Sequence, residues 1–263
     1  MPDVQLQLHP DGVAAPAQRA AEISKEVVDL YFAALAKEDL SKKPQSADDK
    51  FFKFEFAGSK LTAEQRRSIH ENWILSRAFQ DLIRGIRASL EEAYFFCELL
   101  AAGKITAKAS STLESVLQPF RKRANDLNFP DLLKAVNARL ETPLEFSDSY
   151  QSLQNARNCL EHRNGIVGTV DINADGKMVL QFPRMMMFVE REGKDVELHQ
   201  GMEVKKGEVV AMKFAIRQRE FSLGSPLSLT AADFDEISFG CAHFAVQLAS
   251  RLPKPEQQGS ATA

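Results

Sequence analysis

One long segment, from Thr62 to Gly103, restricts the fold of this chain more than any other. It opens with Thr62-Ala-Glu-Gln65, the pattern of a capping box, in which the threonine and glutamine side chains bind backbone N–H groups at the start of a helix. Apolar residues then follow every three or four positions until Gly103, and glycine commonly ends helices. The segment therefore predicts one long helix. At about 1.5 Å per residue it would span roughly 60 Å, which favours a bend near Gly85.

Five further segments show the same helical spacing, and they predict helices over residues 17–39, 106–127, 130–141, 147–165 and 230–252. Pro130 suits the first turn of its helix, where a missing N–H costs nothing. The aromatic run at 51–56 alternates with charged residues and suits a brief strand or an anchored loop. Helices thus dominate the expected fold.

Residues 166–222 differ in composition from the rest of the chain. Short segments rich in β-branched and aromatic residues are separated there by Asp-Gly, Glu-Gly and Lys-Gly turn signals. They predict a small antiparallel sheet. The expected fold class is mainly α, a helical bundle with this β insert before the C-terminal helix, α+β overall. We expect a single domain over 17–252, with the insert at about 166–222, a flexible tail at 1–16 and a disordered tail at 253–263.

The charge balance limits the classes of function. The chain has 33 Lys and Arg against 36 Asp and Glu, a net charge of −3, which excludes a generally basic surface but allows a local basic groove. Its cysteines, Cys97, Cys159 and Cys241, lie far apart without zinc-ligand spacing, so we expect a reducing compartment and no metal site. The amino terminus does not resemble a signal peptide, and no apolar run reaches membrane-spanning length. We expect a cytoplasmic protein without a cofactor or membrane partner.

The predicted helix over 147–165 carries an unusual polar row. Gln151, Asn155, Asn158 and His162 occupy positions i, i+4, i+7 and i+11, within roughly 60° of one another around the helix. The row holds amides and an imidazole but no formal charge, whereas the solvent faces of the other helices carry Lys and Glu. Uncharged hydrogen-bonding groups in this arrangement indicate a partly buried interface or a site.

Arg157 flanks this row and precedes His162 by five positions, an angular offset of roughly 140°. In one interpretation Arg157 pairs with Glu161 at i+4, and His162 simply lies near the helix end.

The other interpretation rests on the string Arg157-Asn158-Cys159-Leu160-Glu161-His162, which resembles the RX4-6H motif of the HEPN superfamily, including the polar residue after the arginine. The continuation Arg163-Asn164-Gly165-Ile166-Val167 also resembles bacterial HEPN members, whose motif helix ends at a glycine and leads into a β segment. Outside residues 153–167 the resemblance is only architectural, and the β insert departs from it.

This resemblance implies a HEPN-like helical domain with metal-independent endoribonuclease activity, in which Arg157, Asn158 and His162 take the catalytic roles. HEPN domains commonly dimerise, so the resemblance also implies a homodimer whose two motif helices meet in one composite cleft. A histidine suits proton transfer near neutral pH, and a guanidinium matches phosphate geometry. The implied setting is toxin activity or anti-phage defence, with RNA as substrate and an antitoxin or other protein as a further candidate partner.

Six other residues are candidates for contacting the substrate or sealing the interface: Gln151, Asn155, Glu161, Arg163, Arg217 and Arg219. The last two lie on a predicted strand and form the best of three short basic clusters. The competing interpretation is a non-catalytic HEPN module that uses the same surface for dimerisation or for binding a nucleotide or a protein. An ion pair with Glu161 would favour that interpretation, because it makes Arg157 less available for phosphate.

Residues 171–176, Asp-Ile-Asn-Ala-Asp-Gly, imitate the first half of an EF-hand calcium loop. Position twelve of such a loop would be Phe182, where calcium needs a bidentate glutamate, and the flanking segments are predicted strands. We therefore interpret this segment as a hairpin turn.

Overall fold

A computed structural model describes residues 9–42, 61–103, 112–199 and 201–254. Within these ranges lie six helices and three strands: α1 (Pro10–Leu35), α2 (Ala63–Ala102), α3 (Leu113–Asp126), α4 (Phe129–Asn137), α5 (Ser147–His162), β1 (Lys177–Arg191), β2 (Lys194–Glu197), β3 (Val210–Ser222) and α6 (Ala231–Arg251). The predicted fold class is confirmed, since a small antiparallel sheet precedes the last helix of a mainly helical chain. The aromatic run at 51–56 lies outside the described residues.

α2 confirms the long helix predicted from its capping box. Gln65 N–H donates to the Thr62 hydroxyl at 3.2 Å, and Thr62 N–H donates to Gln65 Oε1 at 3.0 Å. The helix continues through Gly85, where it passes close to α1. A Cβ atom at position 85 would lie 2.5 Å from Ala20 Cβ and 2.9 Å from Pro16 O. The glycine predicted as a bend point therefore allows close packing of two helices.

α1 begins at Pro10 rather than at residue 17, so residues 10–16 are helical instead of forming part of a flexible tail. Burial explains the early start, because Val13 and Ala14 lie in the hydrophobic core. Ser89 of α2 ties this segment down: its hydroxyl accepts from Ala17 N–H at 3.0 Å and donates to Ala14 O at 3.4 Å. Residues 1–8 lie outside the described ranges.

α3, α4 and α5 confirm three predicted helices with shifted ends. α3 begins after Thr112, while residues 104–111 lie outside the described ranges. α5 ends at His162 rather than at residue 165. The chain turns there because Asn164 and Gly165 both adopt positive φ, at 52° and 74°, and Gly165 N–H donates back to Cys159 O at 3.1 Å. This early end places His162 in the last helical turn, next to the loop that leads into the sheet.

The β insert confirms the predicted antiparallel sheet. β1 occupies the middle of the order β2-β1-β3 and pairs with β3 from Lys177 opposite Ser222 to Val189 opposite Val210. β1 packs on α5 and α6, and Met178, Leu180 and Phe182 are buried in the same core as the helices. The sheet therefore fixes how α5 is oriented.

α6 closes the fold against α1, α2 and β1. It begins at a second capping box, in which Asp233 N–H donates to the Thr230 hydroxyl at 3.1 Å and Thr230 N–H donates to Asp233 Oδ2 at 3.0 Å. Over the described ranges, no helix combines the length and the apolar character that crossing a membrane requires.

Candidate functional site

α5 carries most of the predicted site residues and is held on two sides, by α2 and by β1. Ser152 links it to the sheet, because its hydroxyl donates to Val179 O at 2.9 Å and accepts from Gln181 N–H at 2.8 Å. The inner face is buried along the helix, at Tyr150, Leu153, Ala156 and Cys159. With this face fixed, the predicted polar row points away from the core.

Hydrogen bonds between neighbouring amides order this polar row. Gln151 Nε2 donates to Asn155 Oδ1 at 3.1 Å, and Gln154 Nε2 donates to Asn158 Oδ1 at 2.8 Å. Asn155 is exposed and Asn158 is half-buried. Because both asparagines accept through their oxygens, their NH2 groups remain as donors on the outer side of α5.

A cleft of about 300 Å³ opens at the C-terminal end of this row. Its walls come from α5 and from the loop that follows, and they consist of Asn155, Asn158, His162, Arg163, Val170 and Asp171. The His162 side chain is exposed there, in the last turn of α5. Four of the nine residues predicted for the site thus meet in one concave surface.

Arg157 points elsewhere. It forms an ion pair with Glu161, and Glu161 also lies 3.6 Å from Arg84 Nη2 on α2. Arg157 Nε is buried without a hydrogen-bond partner among the described residues, and the side chain is only 20% exposed. Arg157 is therefore paired along its own helix, as in the interpretation that pairs it with Glu161, and does not line the cleft of its own chain.

The guanidinium that lines the cleft belongs to Arg163. Its Nε donates to Asp171 Oδ2 at 2.7 Å, and its Nη2 donates to Asp171 Oδ1. Asp171 is almost fully buried, and its Oδ2 also accepts from Gly168 N–H at 2.9 Å. Beneath this pair lies Cys159, and burial is the main reason that the pKa of its thiol is raised. Arg163 is thus held firmly in place beside His162.

Arg217 and Arg219 do not reach this cleft. On β3 they face the start of α6, where Arg217 donates to Glu236 at 2.5 and 2.7 Å and Arg219 donates to Asp233 at 3.0 and 3.1 Å. Hydrogen bonding to Glu236 raises the pKa of Arg217. Both guanidinium groups are engaged within the fold, so their visible role is to join the sheet to α6.

Comparison with family models, curated proteins and solved structures yields no match.

In the turn at 171–176, Asp171 and Asn173 already bind partners within the protein. Asp171 is engaged by Arg163, and Asn173 Oδ1 accepts from the N–H groups of Asp175 and Lys177 at 3.0 and 3.1 Å. The segment leads into β1 as a tight turn, without a strand before it. Across the described ranges, no group of three or more His, Cys, Asp or Glu side chains has the arrangement of a metal site.

Three residues of the site carried no signal in the sequence: Arg84, Val170 and Asp171. Arg84 lies on another helix, far along the chain from Glu161. Val170 and Asp171 lie in an irregular loop, and no periodic pattern relates a loop residue to a helix residue. In the sequence, Asp171 was considered only as the first residue of a segment that imitates a calcium loop. A carboxylate eight positions after Arg163 was the one available hint of their pairing.

Proposed function

We propose that this protein is a metal-independent endoribonuclease of the HEPN type, with its chemistry centred on His162. The observation that carries the proposal is the exposed imidazole of His162 in a cleft that also presents the Asn158 amide and the Arg163 guanidinium. An imidazole, an amide and a guanidinium together provide a proton-transfer group, a hydrogen-bond donor and a phosphate ligand.

These groups match what RNA cleavage through the 2′-hydroxyl requires. The hydroxyl must lose a proton as it attacks phosphorus, the 5′-oxygen must gain one as it leaves, and the phosphoryl oxygens carry the developing charge. His162 is suited to one of the proton transfers, since imidazole titrates near neutral pH. Donors from Asn158 and from a guanidinium are suited to the phosphoryl oxygens.

One chain supplies only one motif histidine, so the proposal includes a homodimer. Two α5 helices that meet across a two-fold axis through this row would bring together two copies of His162, with one histidine as base and the other as acid. The outward polar row, with Gln151 and Asn155, supports such a contact because uncharged amides can pair across an interface without burying a charge.

The chemistry of the products tests the proposal. We expect the purified protein to cleave single-stranded RNA in excess EDTA, to leave 2′,3′-cyclic phosphate ends, and to leave fully 2′-O-methylated RNA intact, because that RNA lacks the attacking hydroxyl. Cleavage of the methylated RNA, or cleavage that appears only with added metal ions, would rule out this mechanism.

One specific observation favours a second candidate, the non-catalytic HEPN module. Arg157 is paired with Glu161 beside Arg84, and it does not line the cleft. A binding module would use the polar row of α5 to hold a nucleotide or a protein without turnover. The two candidates separate in one comparison, since His162→Ala abolishes cleavage in an enzyme but only weakens partner binding in a module that never cleaves RNA.

A further inference from the structure

Arg163 lies in a cradle formed by the loop after α5. Its aliphatic stem crosses Gly168 so closely that a Cβ atom at position 168 would lie 3.1 Å from Arg163 Cδ. The loop closes around it through the hydrogen bond from Asp171 N–H to Gly168 O at 3.1 Å. Gly168 therefore provides room for an arginine that runs along the backbone, which fixes where the guanidinium ends.

Asp171 fixes the orientation of that guanidinium. Its two carboxylate oxygens accept hydrogen bonds from Nε and Nη2 of Arg163, and Gly168 N–H also donates to one of these oxygens. Asp171 belongs to the cleft wall, but its side chain is only 4% exposed, so the guanidinium is the more accessible member of the pair. A buried, bidentate pair of this kind has little freedom to rearrange.

The opposite edge of the guanidinium stays available. Over the described ranges Nη1 of Arg163 makes no hydrogen bond, and the side chain is 27% exposed where it lines the cleft with Asn158 and His162. Two N–H groups of Nη1 and one of Nη2 can therefore still donate. They have the planar arrangement that suits the non-bridging oxygens of a phosphate.

We propose that this cleft is a phosphate subsite for single-stranded RNA, in which Arg163 binds a phosphodiester through its Nη1 edge and Asp171 is the positioning residue. The inference rests on the proposed function, and it names the group that binds the substrate. In this arrangement the guanidinium that lines the cleft with His162 is that of Arg163, while Arg157 is engaged by Glu161. The Asn155 and Asn158 amides flank the phosphate as further donors.

Binding of an RNA that cannot be cleaved tests the subsite separately from catalysis. The probe is a fluorescent 2′-O-methylated 12-mer of mixed sequence, titrated at fixed salt because phosphate contacts are salt-dependent. The variant is the double substitution Arg163→Gln with Asp171→Asn, which removes both charges of the pair and leaves the net charge unchanged. A single Arg163→Gln would strand a buried carboxylate and risk misfolding.

The chain offers a matched control in Arg191 and Glu208. Arg191 donates to Glu208 at 2.7 and 2.9 Å, and the Arg191 side chain is also 27% exposed. The pair lies at the far end of the sheet, where β1 ends. Arg191→Gln with Glu208→Gln therefore removes an equivalent pair without touching the cleft. We expect the Kd of the 12-mer to rise roughly tenfold or more in the cleft variant and to stay within about twofold in the control.

Asp171→Asn alone separates positioning from charge neutralisation. The substitution makes the cleft more positive. If the carboxylate only neutralised the charge of Arg163, its removal would therefore tighten RNA binding. If Asp171 positions Arg163, the Kd rises instead, and thermal unfolding shows that the variant is folded. Binding as tight as the parent's or tighter overturns the positioning role.

The remaining outcomes are equally decisive. An unchanged Kd in the double cleft variant, or an equal loss in the Arg191 control, overturns the subsite. Absence of any cleavage of ordinary RNA by the parent, together with Arg163-dependent binding of the 12-mer, would reject the proposed enzyme and leave the subsite standing. Cleavage that depends on His162, together with RNA binding that is unchanged when Arg163 is replaced, would support the proposed enzyme and reject the subsite.

Discussion

Arg157 and Glu161 form an ion pair one helical turn apart, on the side of α5 that meets α2. The arginine contributes more than charge, because its stem is mostly buried and its Nε lies inside the protein. Glu161 keeps a second, looser partner in Arg84, which is 53% exposed. The two arginines therefore differ in burial while sharing one carboxylate, which makes them a natural pair to compare.

We expect Arg157→Gln to lower the free energy of unfolding by about 1–2 kcal/mol, because it removes buried packing and a partly buried ion pair. Arg84→Gln should cost under about 0.5 kcal/mol, since exposed pairs contribute little. Urea denaturation of both variants measures the difference. Equal losses would mean that the greater burial of Arg157 adds nothing to stability.

The thiols of Cys97, Cys159 and Cys241 provide a test of burial at the residue scale. Burial raises the pKa of Cys97 to about 11 and that of Cys241 to about 12, and it also raises the pKa of Cys159. A raised thiol pKa leaves little thiolate, the reactive form, at pH 8. We expect Ellman's reagent to react slowly with the native protein and rapidly with three thiols in guanidinium chloride. Ser222→Cys on exposed β3 should add one fast native thiol, and rapid labelling of the parent would contradict the buried positions.

At the scale of elements, the close crossing of α1 and α2 depends on Gly85. Alanine normally favours a helix over glycine by about 1 kcal/mol. At position 85, however, its methyl group would press on Ala20 Cβ and on the Pro16 carbonyl. Overpacking against backbone typically costs about 1–3 kcal/mol, so steric strain should outweigh the gain in helix propensity.

We therefore expect Gly85→Ala to lower the melting temperature and Gly12→Ala to raise it slightly. Gly12 also lies in a helix, but a Cβ atom there would meet nothing within 4 Å. Thermal unfolding monitored by circular dichroism measures both. Stabilisation by Gly85→Ala would show that the helices separate easily and that the close crossing is not required.

Elements with local signals were predictable from the sequence, and elements fixed by distant contacts were not. The capping boxes at Thr62 and Thr230 define the starts of α2 and α6 because the interaction spans only three residues. The first turns of α1 depend instead on Ser89, far along the chain, so the start of that helix, which contains proline and glycine, resembled a tail. At the site, periodicity predicted the outward polar row of α5. It did not predict that Asp171 would hold Arg163, because the path of a loop follows from tertiary packing.

At the scale of the whole molecule, a net charge of −3 means that RNA cannot be held by bulk attraction. The other arginines predicted for the site, Arg157, Arg217 and Arg219, are already paired and do not line the cleft. Binding must therefore be local, and in our proposal a second copy of α5 completes the site. The assembly, rather than the fold of one chain, then supplies the second histidine.

The proposed dimer gives a prediction at this scale. Asn155→Arg would place two like charges near the two-fold axis, so we expect it to produce a monomer and to abolish RNA cleavage while the fold remains intact. Gln218→Arg, an equivalent change on exposed β3, should leave the dimer unchanged. Light scattering coupled to size-exclusion chromatography measures both masses. A dimer that persists in Asn155→Arg would place the interface elsewhere.

The central claim, that His162 catalyses RNA cleavage, is tested most directly by the single-turnover cleavage rate of His162→Ala beside that of His199→Ala. Both histidines are exposed, but His199 lies after β2, away from the residues that line the cleft. Loss of a general acid or base typically slows a reaction by about 10²–10⁴-fold. We expect a loss of at least about 100-fold for His162→Ala and less than about twofold for His199→Ala. An undiminished rate in His162→Ala would contradict a catalytic role of His162.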